Sequence, residues 1–205
     1  LEVDKLSERA LDGHFEHYIK RIAKRSQKYV GDSFVSTHAD SWEVGRQNWT
    51  QGFEKDFEER RGYPLIRLLP ATLGYVVKDE TFSERILWDF RKTLAELIAE
   101  RFYGGMRQRA NELGLTFSAQ SMKPFIDNLH ALGQADIIYA NSAFRSINPS
   151  ENKPNQEFAF LTAKMAASAG SIYNKPVRSE SFTSLPQANR CLSHPLTHKS
   201  QADTD

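Results

Sequence analysis

The feature that most constrains this chain is an alternation. Short β-branched or aromatic runs end in a polar or ionisable residue and hand over to a helix-patterned stretch. The first run, Ser33 to Thr37, leads through His38-Ala39-Asp40-Ser41-Trp42 to Glu43. The pattern returns at Leu115 to Ala119 ending at Gln120, at Ala135 to Ala140 ending at Asn141, at Pro176 to Ser179 ending at Glu180, and at Arg190 to Ser193 ending at His194. Strands separated by helices need crossover connections, which build a parallel sheet with helical cover. Polar groups at the strand ends, and not at the starts, are the polarity of a (β/α)8 barrel, whose chemistry sits at that face. A doubly wound open sheet is the alternative, but no glycine-rich phosphate loop follows any strand. Five strands do not close an eight-stranded barrel. The expectation is an α/β fold, a partial (β/α)8 TIM-barrel-like segment over residues 1–198, with a loose polar tail at 199–205.

The helices are read from caps and apolar spacing. Ser7 is expected to cap a helix to about Lys28, with Leu11, Phe15, Tyr18, Ile19 and Ile22 on one face. Thr50 would cap a short helix carrying Phe53 and Phe57, stopped by Gly62. Ser83 would open the longest helix, striped by Ile86, Leu87, Phe90, Leu94, Leu97, Ile98 and Phe102 and weakened or bent at Gly104-Gly105. A short helix from Phe125 to Leu132 would end at Gly133, and a later one would carry Phe158, Leu161, Met165, Ala169 and Ile172 up to Asn174.

Composition narrows the partners. Charges nearly cancel, to a net +1, which argues against nucleic acid. No apolar run reaches the length of a membrane span, so no membrane partner is expected. The chain opens at Leu1 in mid-pattern and reads as a fragment. Its targeting region would then be missing, leaving secreted or periplasmic destinations open, and its first partner would be the remainder of its own catalytic domain. Cys191 is the sole cysteine, which rules out an internal disulfide and reads as a small core residue.

Two carboxylates on different strand ends, Glu43 and Glu180, point to glycoside hydrolysis, in which an acid and a base flank the scissile bond. Trp42, Trp49, Tyr139 and Phe182 lie near those ends, where aromatic faces stack on sugars. By spacing alone this does not separate a glycosidase from a plain barrel segment.

Longer motifs go further. Asp40-Ser41-Trp42-Glu43-Val44-Gly45-Arg46-Gln47-Asn48-Trp49-Thr50 resembles a signature of glycoside hydrolase family 106, the α-L-rhamnosidases. So do Arg60-Arg61-Gly62-Tyr63 with Leu69-Pro70, Ser83-Glu84-Arg85 with Leu87-Trp88-Asp89-Phe90-Arg91, and Ser179-Glu180-Ser181-Phe182-Thr183-Ser184. The resemblance runs from about Val3 to His198 and is more specific in the first half. It implies a (β/α)8 catalytic domain that hydrolyses terminal α-L-rhamnosyl residues of a glycan or glycoside with inversion, assisted by calcium. By position it makes Glu43 the general acid and Glu180 the general base. Asp40, Trp42, Asn141 and His194 would then contact the sugar, and Asp40, Gln120 and Asn141 would be candidate calcium ligands. The chain departs from the family's pattern at Gln120, where a Glu is usual, at Asn141-Ser142-Ala143 in place of Glu-Phe-Trp, and at Ser171 and Asn174. Amides cannot supply charge to a cation. A sugar-binding relative that does not cleave, and a purely structural segment, stay open as alternatives.

Overall fold

The computed structural model describes residues 3–42, 45, 47–121, 123, 125–144 and 156–184, together with Pro195 and Lys199. Helix α1 (Glu8–His14) is capped as expected, Ser7 Oγ accepting from the Ala10 amide. A π-helical turn (Phe15–Ile19) joins it to α2 (Lys20–Arg25), and a 3-10 turn covers Gln27–Tyr29.

Strand β1 (Ser36–Ala39) starts three residues later than the sequence pattern places it. Phe34 is drawn into a turn instead, its amide donating to the Tyr29 carbonyl at 2.8 Å and its carbonyl accepting from Gly31. The shift carries His38 into the strand and leaves Asp40 just past its end.

Helix α3 (Phe53–Arg61) begins after Gly52, not at a Thr50 cap. Gly52 adopts φ 86°, which favours glycine, and the Thr50 hydroxyl donates to Asp4 Oδ2 at 2.7 Å. Gly62 closes the helix at φ 81°, as read. After a 3-10 turn (Ile66–Leu68) and the single turn α4 (Leu69–Thr72), helix α5 (Glu80–Leu97) starts earlier than Ser83. Asp79 is its cap, its carboxylate accepting from the Phe82 amide, while the Ser83 hydroxyl accepts from Val77. At Gly104-Gly105, where the sequence predicts weakening or bending, the helix runs on: a π-helical turn (Ile98–Gly104) carries it into α6 (Gly105–Glu112).

The second half holds β2 (Thr116–Gln120), α7 (Asn128–Gln134), β3 (Ile137–Phe144), α8 (Gln156–Tyr173) and β4 (Val177–Ser184). Gly133 lies inside α7 instead of ending it. Tyr173 of α8 packs so closely that a Cβ on Gly133 would sit 2.4 Å from its ring. The buried stripe of α8 is Thr162, Ala166 and Ala169, whereas Leu161 and Ile172 are exposed. Small residues let this helix approach β3 closely, which the size of Leu and Ile would prevent.

The four described strands are parallel and ordered β1-β2-β3-β4, each beside the next in sequence. A doubly wound sheet reverses its order at a switch point. No reversal occurs among these strands, so the winding runs in one direction. Pleating then sorts the side chains. Phe117 and Ala119 join Leu97, Ile98 and Tyr103 in the main core, and Ile138 and Ala140 pack with Leu132, Ala166 and Ala169. Each large apolar side chain so buried contributes roughly 1.5–3 kcal/mol. The alternate residues form the other face: His38 beside Ser118, Gln120 beside Tyr139, and Asn141 beside Glu180. Arg101–Asp56 and the Arg60, Arg61, Glu96, Glu100 network tie α3 to the long helix. No helix among the described residues is long and apolar enough to cross a membrane. The strand expected at Arg190 to Ser193, and His194 after it, lie outside the described residues.

Candidate active site

Three neighbouring strands converge on one carboxylate. Gln120 at the end of β2 donates from Nε2 to Glu180 Oε2 at 2.7 Å. Asn141 on β3 donates from Nδ2 to the same oxygen at 3.4 Å and to Gln120 Oε1 at 3.3 Å. The register explains the meeting: Asn141 is the direct partner of Glu180, and Gln120 that of Tyr139, two residues along on the same face. The amide orientations follow from acceptor chemistry. An ionised carboxylate only accepts, so both NH2 groups must turn toward Glu180, and the Gln120 carbonyl is left to take the second Asn141 contact. Glu180 Oε1 makes no hydrogen bond among the described residues.

Glu180 lies inside β4 and not at its end, because the strand runs on to Ser184. Beyond Glu180 the β3/β4 register shifts between Ser142 and Phe144. Phe182 adopts φ 64°, an outlier for a bulky side chain.

The support under this cluster is buried. Gln120 is 1% exposed, and the Tyr103 hydroxyl, from the π-helical turn, donates to the Gln120 carbonyl at 3.1 Å. Burial pushes the Tyr103 phenol up to about 12, so it stays protonated as a donor at neutral pH. The Thr162 hydroxyl of α8 donates to the Asn141 carbonyl. Sequence periodicity put Phe102 in the buried stripe and passed over Tyr103. The π-helical turn rotates the pattern by part of a turn, and nothing in the residue types announces it.

Across the sheet, the Ser118 hydroxyl donates to the Thr37 carbonyl at 3.2 Å, and His38 Nδ1 lies 2.9 Å from Ser118 Oγ. Both contacts are satisfied when Nδ1 carries the proton. His38 meets Tyr139 edge to face at 4.9 Å between centroids. Asp40 is exposed, and its Oδ1 accepts from the Ser41 amide at 2.8 Å. Trp42 is buried, its Nε1 donating to the Gly45 carbonyl at 2.9 Å and its ring packed against Phe102 and Phe125. Asp40 and Trp42 line a cavity of about 280 Å³ with His38, Leu11, Phe102 and Met106, and Glu180 is not among its lining residues. The structure brings Gln120, Asn141 and Glu180 together and places Asp40 and Trp42 in the segment after β1, in no described hydrogen bond with those three; Glu43 lies outside the described residues.

Calcium takes six to eight oxygen ligands at roughly 2.3–2.6 Å. No group of three or more His, Cys, Asp or Glu among the described residues is arranged to hold a metal ion. At Gln120 and Asn141 it is nitrogen that faces Glu180, so in this arrangement the two amides present no oxygen to a cation on that carboxylate, and Asp40, the third candidate ligand, makes no described contact with them.

A parallel sheet wound in sequence order, with a half-buried, amide-held carboxylate on the face opposite its helix-packed core, is an α/β scaffold that presents one carboxylate on its polar face. The chain belongs to the Glyco_hydro_106 family of α-L-rhamnosidases, whose model matches residues 1–205. Its structure is similar to that of a rhamnosidase from Novosphingobium sp. PP1Y, with a TM-score of 0.79 and 33% identity, over 90% of this chain and 18% of that one. In sequence it is 39% identical over 138 residues to a Formosa agariphila protein named "Putative beta-glucuronidase", covering 67% of this chain and 12% of that protein. The chain thus spans less than a fifth of the length of either.

Proposed function

We propose that the complete protein carrying this chain hydrolyses terminal α-L-rhamnosyl residues of a glycan or glycoside with inversion. The further strands needed to close the barrel would come from the rest of its catalytic domain. The observation that carries this reading is Glu180, one carboxylate oxygen held by two amides and the other unengaged among the described residues. A general base must be held in one place while keeping an oxygen available to water. In this reading Oε1 takes a proton from the attacking water, and Glu43, assigned by its motif, protonates the leaving oxygen. The two carboxyls would stand roughly 6.5–9.5 Å apart, leaving room for that water. The test is turnover of an aryl α-L-rhamnoside by the complete protein and by its Glu180→Gln and Glu43→Gln variants. Hydrolysis by the parent, lost in both variants, is the expected result; unchanged turnover in either variant removes that residue from its role.

A second reading has one observation in its favour. Arg178 lies on the same face as Glu180, two residues earlier, its guanidinium 3.5 Å from the Tyr139 hydroxyl. A guanidinium there suits the carboxylate of a uronic acid. An aryl β-glucuronide assayed in parallel decides between the two sugars.

A further inference from the structure

Resting on the assignment of Glu180 as base, we propose that Gln120 and Asn141 are positioning residues whose amide NH2 groups hold that carboxylate in place of a cation. On this account Glu180 is held ready without calcium. Both donors converge on Oε2, at 2.7 and 3.4 Å, and the Gln120 carbonyl is itself engaged by Asn141. The two amides therefore fix one oxygen of Glu180.

A calcium ion on the same oxygen would require the amides to present their carbonyls instead. Rotating Gln120 alone would set its oxygen 2.7 Å from the carboxylate oxygen, where two acceptors repel. Gln120 is 1% exposed, and its backbone carbonyl accepts from buried Tyr103, which fixes the main chain that presents the amide. Two amide hydrogen bonds fix the direction of the carboxylate, as a bound cation also would. They do so without adding a positive charge of their own.

The experiment uses the complete protein and three forms of it: the parent, Gln120→Met, which keeps the bulk without the amide, and Gln120→Glu, which brings a second carboxylate to Glu180. Calcium binding is measured by titration calorimetry, and aryl α-L-rhamnoside kinetics are followed in EGTA and in excess calcium. The parent and Gln120→Met should bind the same number of calcium ions, and Gln120→Glu one more. Parent turnover should be equal in EGTA and calcium. Gln120→Met should lose kcat by on the order of 10²-fold, with KM little changed and no rescue by calcium, as expected for a misplaced catalytic group. Gln120→Glu should be impaired in EGTA and recover at least about tenfold with calcium.

A calcium ion bound by the parent but missing from Gln120→Met overturns the proposal. So does parent turnover that falls in EGTA and returns with calcium, or a Gln120→Glu protein that binds no extra ion. If the parent cleaves no glycoside, the functional reading fails by itself, and the calcium counts still decide this inference.

Discussion

The two faces of the sheet are built from the same strands and even from adjacent residues, yet they obey different rules. On one, Phe117, Ala119, Ile138 and Ala140 are fully or almost fully buried against helices. On the other, Gln120 and Asn141 hydrogen-bond each other and one oxygen of Glu180, and Ser118 pairs with His38 and a backbone carbonyl. Moving one residue along β2, from Ala119 to Gln120, crosses from a surface judged by volume to one judged by hydrogen-bond partners. Errors on the first cost stability, because a cavity forfeits burial. On the proposed function, errors on the second cost activity, because an amide or carboxylate changed in kind still fills its space.

That contrast can be broken from either side. The largest effect should come from Glu180→Gln, with kcat on an aryl α-L-rhamnoside falling on the order of 10²–10⁴-fold while the thermal midpoint stays close to the parent's. A midpoint that collapses with the activity would mean that Glu180 holds the sheet together and does no chemistry. Phe117→Ala is the converse test. It should lower stability by about 3–5 kcal/mol in denaturant titrations, with turnover per folded molecule preserved. Tyr103→Phe sits between the faces, since it removes only the hydroxyl that reaches the Gln120 carbonyl. About 1 kcal/mol of stability should be lost, accompanied by a measurable drop in kcat. The smallest effect belongs to neither face. Arg60, through its hydrogen bond and charge, lowers the Glu100 pKa below its ordinary 4.5. A carboxylate with a depressed folded value adds stability at pH above about 4.5, lost as pH falls through the folded value. Because the pair is partly exposed, the contribution is under about 1 kcal/mol, and Arg60→Met should flatten that acid limb of stability against pH.

The helix-covered face was the more legible of the two in the sequence. Ser7 and Gly62 worked as cap and stop, and all four described strands fell near their predicted runs, because apolar periodicity and punctuation are local signals. Thr50 and Ser83 misled because each hydroxyl found a better partner, Asp4 for one and the Val77 backbone for the other. Gly133 misled because its reason for being glycine is Tyr173, forty residues away. On the polar face, the residue types at positions 120, 141 and 180 were visible, and so was their place near strand ends. Their mutual arrangement was not. Which atom of Gln120 faces Glu180 depends on the register of three strands and on the donors left over, and no local pattern encodes that.

The long helix from Glu80 to Glu112 has one widened turn, at Ile98–Gly104, and Tyr103 reaches Gln120 from it. A π-helical turn is in effect an extra residue lodged in an α-helix without shifting the helix on either side. Its heredity is therefore that of an insertion. Loss of a single codon there would let the turn tighten to ordinary α-helix, with both flanks still packed as before. The protein would survive such a deletion as a folded molecule, short of the one hydroxyl beneath its carboxylate. Among relatives, a one-residue gap at this point would mark those that hold the site from below by other means.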